Sequence, residues 1–302
     1  MEASRATTTA PWEVGGVRQV VADYVTLTKP RVQLLLLLTT ITTMYVAGDP
    51  SLTLVALTVV GGSLSAGGAA AVNHYWDRDI DAQMARTATR PVPAGRVAPG
   101  AALAYGVILQ VLSFALLATT VNLLAAFLAL AGFLGYVFIY TIWLKRSTPQ
   151  NIVIGGAAGA VPPLVGWAAV TGSLAPAALY LFAIVFYWTP PHFWALSLLM
   201  KDEYARVGVP MMPVVHGETE TRRQIVLYTV LLTVLTLLPV VFGFFGALYA
   251  AVAVALGAAF LVLAVRLQRR ADRASALRTY LYSLAYLALL FGAMVLDARL
   301  IG

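Results

Sequence analysis

Asn73, Asp77 and Asp81 recur every fourth residue within Asn73-His74-Tyr75-Trp76-Asp77-Arg78-Asp79-Ile80-Asp81, and Arg86-Thr87 and Arg90-Pro91 follow directly. On a helix rising roughly 1.5 Å per residue the three share one face, each about 6 Å beyond the last. Hard oxygen ligands of this kind suit Mg²⁺, which is held by one or two carboxylates plus substrate phosphates. The spacing therefore predicts a pyrophosphate site with Asp77 and Asp81 as metal ligands. Asp79 falls between them and points away, so it and Arg78 are expected to be solvated. A solvated helix end explains neither the four-residue repeat nor an amide at its apolar end, because polar groups at membrane depth usually face a cavity. Asn73 has a second reading, a hydrogen bond to a neighbouring helix.

The elements that must carry this row are membrane spans. The chain has 302 residues, 60% hydrophobic and 11% charged, against about 25% charged in soluble domains. A span needs roughly 20 apolar residues. Nine such runs stand out, near 32–48, 52–72, 99–119, 122–143, 152–171, 175–199, 224–243, 247–266 and 279–297. The expectation is an all-α polytopic membrane protein: a cytoplasmic N-terminal segment, 1–28, and a single nine-helix domain, 29–302. No cleaved secretory signal is visible, and with no cysteine in the chain, disulfides and thiolate metal sites are excluded.

Basic residues set the orientation. They fall in the N-terminal segment (Arg5, Arg18, Lys29, Arg31) and after the second span (Arg78, Arg86, Arg90, Arg96). More follow the fourth (Lys145, Arg146), sixth (Lys201, Arg206, Arg222, Arg223) and eighth (Arg266, Arg269, Arg270, Arg273, Arg278) spans. The alternate loops hold none, and Arg299 alone breaks the pattern. The N-terminus is expected inside and the C-terminus outside, in a cell membrane, with the acidic row on the cytoplasmic side. The net charge of +7 then reflects topology and anionic substrates or lipids, not nucleic acid.

Arg86, Arg90, Lys145 and Arg146 lie on cytoplasmic loops and could clamp phosphate oxygens; positive-inside topology is their plainer reading. The second acidic cluster is the adjacent pair Asp202 and Glu203, of which one can point into a site; Asp202 is the assignment and Glu203 the alternative. His192 sits about two turns inside the sixth span, where a haem contact and a helix-to-helix hydrogen bond compete. Pro190-Pro191 should break that helix locally. His216 lies in the loop beyond, where it could also be merely solvated. Gly67-Gly68 and Gly155-Gly156, with the alanines beside them, should let the second and fifth spans approach closely. Pro162-Pro163 predicts a mid-span kink.

The acidic row with Arg86-Thr87 and Arg90-Pro91 resembles the first aspartate-rich motif of the UbiA superfamily of intramembrane prenyltransferases. Three further segments resemble its haem-modifying branch. They are Tyr140 to Trp167, containing Lys145-Arg146 and Asn151; Pro191-His192-Phe193-Trp194; and Asp202-Glu203-Tyr204 through Pro213. The resemblance covers about Lys29 to Gly217 and agrees with nine helices. Many members acting on aromatic acceptors have Asp after the motif's Asn, where this chain has His74; that departure points to the haem branch. The resemblance implies transfer of a farnesyl group from farnesyl diphosphate to a vinyl group of haem B, with Mg²⁺ and water, giving haem O. It implies catalytic roles for Asn73, Asp77, Asp81, Arg90 and Lys145, and substrate contacts from Arg86, Arg146, Asn151, His192, Trp194, Tyr204 and His216. A haem A synthase partner follows from the same resemblance. Two other readings stand beside it: a sister enzyme prenylating a quinone precursor, and a transporter of an anionic solute using the same buried acids, although no paired broken helices are evident.

Overall fold

Residues 11–301 are described by the structure, a computed structural model. Arg5 and the first ten residues of the N-terminal segment lie outside them. The chain is helical throughout: α1 (Pro11–Leu27), α2 (Pro30–Ala47), α3 (Leu52–Trp76), α4 (Arg78–Gln83), α5 (Pro99–Thr120) and α6 (Leu123–Leu134). A π-helical stretch, Gly135–Leu144, then leads into α7 (Lys145–Ser147), α8 (Asn151–Gly159) and α9 (Val161–Thr171). The remainder is α10 (Pro176–Leu199), α11 (Lys201–Arg206), α12 (Met212–Val215), α13 (Gly217–Val241), α14 (Ala247–Arg270) and α15 (Arg273–Ile301).

Eight helical segments among the described residues are long and apolar enough to cross a membrane, not the nine expected. The missing one is α10, which has the length but carries Tyr187, Trp188, Thr189, Pro190, Pro191 and His192 along its second half. Those residues dilute its apolar character without charging it. The prolines do not break α10, contrary to expectation; it runs unbroken through both. Each proline removes a backbone donor, and packing against α8, α13 and α15 holds the helix across the gap. The fifth span does divide, between α8 and α9 at Ala160, with proline in the first turn of α9, where a missing N–H costs nothing.

Close contacts explain the small residues. A Cβ on Gly68 would lie 2.6 Å from the Gly106 carbonyl oxygen, and one on Gly106 would lie 2.7 Å from that of Gly68. Only glycine permits this mutual approach of α3 and α5. A Cβ on Gly166 would meet the Thr40 carbonyl oxygen at 2.4 Å, so α9 docks equally tightly on α2. The second span thus closes on the third, and the fifth on the first. At the opposite flank Trp188, Tyr249, Phe260, Tyr286 and Phe291 join α10, α14 and α15 in one core. Outward-facing side chains such as Val107, Val111, Leu231, Val234 and Val262 are exposed and apolar, a girdle suited to lipid.

The C-terminal part of α1 is held against the bundle at two residues. Leu27 of α1 is fully buried beside Ala71, Val92 and Val97, and Arg96 pairs with buried Asp23 at 3.0 Å.

Candidate active site

The acidic row sits where α3 ends. Trp76 is the last residue of α3, Asp77 caps it with φ −87° and ψ 7°, and α4 starts at Arg78. The break does not destroy the spacing. The Asp77 N–H donates to the Asn73 carbonyl at 2.9 Å and the Asp81 N–H to the Asp77 carbonyl at 2.8 Å, so the four-residue register continues through the cap. Asn73, Asp77 and Asp81 are 3%, 1% and 3% exposed. Buried carboxylates require partners, and every partner here is a cation or an amide.

Lys145 donates to Asp77 Oδ2, which also accepts from Asn73 Nδ2 at 2.7 Å. Arg146 reaches Asp77 Oδ1 at 3.4 Å and the Trp76 carbonyl at 3.1 Å. It also grips Asp79 with two bonds, of 2.7 and 2.8 Å. Arg90 donates to Asp81 Oδ2 at 2.7 Å. The loop that delivers Arg90 is tied to the row by Thr87 Oγ1, which donates to the Asp81 carbonyl at 2.8 Å. Asp79 is therefore exposed but not merely solvated: it anchors Arg146, whose hydrogen bonds hold its carboxyl down at about 2. Arg78 folds back onto the Tyr75 carbonyl and ring.

Lys29, counted in the sequence only for topology, proves to be part of the site. Its Nζ donates to Asn73 Oδ1 at 2.6 Å. Its backbone is left-handed, φ 51° and ψ 57°, just ahead of Pro30, a conformation that costs a non-glycine residue roughly 1–2 kcal/mol. Burial, then the charges of Arg90 and Lys145, push its ammonium down to about 7.

The π-helical stretch supplies the other wall. Its widened turn brings Thr141 Oγ1 to 3.2 Å from Asn73 Nδ2 and closes onto Lys145, whose N–H bonds to the Tyr140 carbonyl. Such segments concentrate at functional sites. Nothing in the apolar run from 122 to 143 announces the change of pitch.

The second acidic pair resolves by direction. Asp202 is exposed. Glu203 turns inward, its Oε2 buried without a hydrogen-bond partner and 4.0 Å from Arg86 Nε. Arg86 also donates to the Tyr204 hydroxyl at 3.3 Å. Among the described residues no three acids or histidines cluster closely enough to form a metal cage by themselves. What remains suits a cation that takes part of its shell from substrate: oxygen donors only, from the two buried carboxylates of the row.

The remaining sequence candidates scatter. His192 Nδ1 lies 2.7 Å from Ser283 Oγ, which itself donates to the Tyr280 carbonyl at 2.6 Å, so Nδ1 carries the proton and Nε2 is the free acceptor. The ring stacks on Trp188 at 4.3 Å. Trp194 is fully enclosed among Ile80, Met84 and Ile152, with protein on every side, so the expected substrate contact is not open to it. Asn151 is also fully buried, bonding the Thr148 carbonyl at 2.6 Å and leaving Oδ1 unpartnered. His216 is exposed at the junction of α12 and α13. His74 is 1% exposed with both ring nitrogens unpartnered.

The chain is thus an all-helical bundle of membrane-span helices with an acidic row balanced by lysine and arginine at one end. The chain belongs to the UbiA prenyltransferase family, whose pattern it matches over residues 36–290. It is 58% identical over 284 residues to a protoheme IX farnesyltransferase of Roseiflexus sp., covering 93% of this chain and 53% of that protein. It thus spans about half the length of that relative. A protoheme IX farnesyltransferase of Symbiobacterium thermophilum is 56% identical, with 92% of this chain and 95% of that protein covered. Among solved structures, a digeranylgeranylglyceryl phosphate synthase superposes with a TM-score of 0.77 at 17% identity, covering 93% and 99% of the two chains. A UbiA homologue from Archaeoglobus fulgidus bound to DMAPP and Mg²⁺ gives 0.71 at 18% identity, covering 90% and 99%. At those identities the likeness speaks for the fold.

Proposed function

We propose that this chain transfers a farnesyl group from farnesyl diphosphate to a vinyl group of haem B, with water added, releasing haem O and pyrophosphate. The observation that carries the reading is Asp77 and Asp81, almost wholly buried and balanced by Lys145, Arg146 and Arg90. The relatives' shared name supports the acceptor. An entering diphosphate competes with the carboxylates for these cations. Arginine pairs phosphate in bidentate fashion, so Arg90, Arg146 and Lys145 can pass from carboxylate to phosphate oxygens while Lys29 holds Asn73 in place. Mg²⁺, held by Asp77 and Asp81, would supply charge neutralisation of the departing pyrophosphate, with Glu203 rather than the solvent-facing Asp202 as the candidate for a second acidic contact. The allylic carbon then meets the vinyl group in an apolar interior where little water competes, and His192 Nε2 offers the haem a ligand or hydrogen-bond acceptor.

The same proposal includes nine spans, with α10 as the ninth, an inside N-terminus and an outside C-terminus. Residues 29–302 act as one domain in the cell membrane, and the acidic row faces the cytoplasm. Basic residues at alternate loops support this arrangement. The test is incubation of purified protein with haem B, farnesyl diphosphate and Mg²⁺, the haem product being read by chromatography and mass. A product heavier by one farnesyl group plus water supports the reading. Unchanged haem from folded protein overturns it and turns the search to quinone precursors, or to solute transport if no prenyl product forms.

A further inference from the structure

The turn between α14 and α15 carries five arginines between positions 266 and 278, against one acid, Asp272. That acid is already engaged: its Oδ1 accepts the Ser275 N–H at 2.6 Å. Arg266 and Arg270, one turn apart on α14, line a cavity of about 110 Å³ together with Leu263 of the same helix and Ser275 and Arg278 of α15. Ser275 is buried. The Ser275 N–H, and after it the nearby charges of Arg270 and Arg278, hold the Asp272 carboxyl below its ordinary value; Arg273 donates one bond to the Leu199 carbonyl at 3.1 Å. Like charges four apart on a helix repel one another. The left-handed Ala271 that ends α14 holds the two basic helix ends together. Three exposed guanidiniums from two helices line one concavity with a single acid, Asp272, beside them, an excess of positive charge that suits an anion.

We infer that this cavity binds the phosphate of an anionic phospholipid. Both helices are membrane spans, so their basic ends lie at head-group depth. Leu263 continues the cavity toward the apolar girdle, where an acyl chain would run, and basic pockets between spans are suited to such head groups. None of the cavity's residues belongs to the acidic row, so this site and the proposed reaction stand or fall separately.

The decisive comparison uses variants of equal net charge. Full-length protein is reconstituted in phosphatidylcholine nanodiscs with or without phosphatidylglycerol, and bound phosphatidylglycerol is counted by native mass spectrometry after helicity has been checked. Arg270→Gln and Arg278→Gln should each weaken phosphatidylglycerol retention about tenfold or more, as loss of a charged hydrogen bond does. Arg269→Gln, outside the cavity, should cost no more than about fivefold, the effect of one basic residue near an anionic surface. Equal losses in all three variants would mean diffuse surface charge and overturn the site. Inorganic phosphate that displaces the lipid and protects the protein from heat equally well would overturn the lipid as occupant.

Discussion

Lys29 Nζ donates to Asn73 Oδ1 at 2.6 Å from a left-handed backbone position, joining the start of the first span to the end of the second. The amide is thereby oriented with its nitrogen toward Asp77. Lys29→Met should lower kcat/KM for farnesyl diphosphate by about 10²-fold, the usual loss for one preorganised donor, while Lys29→Gly should lose as much activity yet relieve the backbone. Steady-state kinetics with thermal melting of both variants separates the cation from the strain.

The Lys29 ammonium, at about 7, is charged below that pH and neutral above it. Diphosphate capture, read as kcat/KM of the free enzyme, should decline as pH rises through about 7. Lys29→Arg keeps its charge and should flatten that limb; an unchanged limb would assign the titration to another group. The sign for stability is opposite. The folded value lies below the ordinary 10.5, so the folded state releases its proton first and this group favours folding increasingly as pH rises between about 7 and 10.5.

Asp77→Asn should abolish turnover and also strand Lys145. Removing one member of a buried ion pair costs about 3–5 kcal/mol, so the single variant should melt lower. The double variant Asp77→Asn with Lys145→Met should recover much of that stability and none of the activity. Melting that follows activity in both variants would argue against the row as a binding site.

Glu203 faces Arg86 and Asp202 faces solvent. Titrating activity with Mg²⁺ should therefore show a raised half-saturating concentration for Glu203→Gln and little change for Asp202→Asn. The reverse result would assign the second acidic contact to Asp202.

His192→Ala should weaken haem B binding, followed by its absorption spectrum, more than farnesyl diphosphate binding. Ser283→Ala, which leaves the ring but removes its 2.7 Å partner, should give a smaller loss of the same kind. Equal losses for both substrates would make His192 a packing residue.

Much of this was legible in the chain itself. The four-residue spacing of Asn73, Asp77 and Asp81 needs only local helical geometry, and that spacing survives even though α3 ends between the first and second of them. Apolar runs of span length follow from composition, because lipid leaves the backbone few alternatives to a helix. Long-range partnership was not legible. Lys29 lies 44 residues from Asn73, and Lys145 68 from Asp77; no local rule pairs them. Packing also decided that α10 runs through its prolines, that Trp194 is enclosed, and that Glu203 rather than Asp202 turns inward. The π-helical stretch is of the same kind, since its wider turn is held by neighbours such as Gly155, where a Cβ would meet Tyr140 at 2.4 Å. Sequence determined which residues could do the chemistry, because residue type and helical period are local properties. Only the tertiary structure decided which cation meets which carboxylate, because that depends on how closely distant helices can approach.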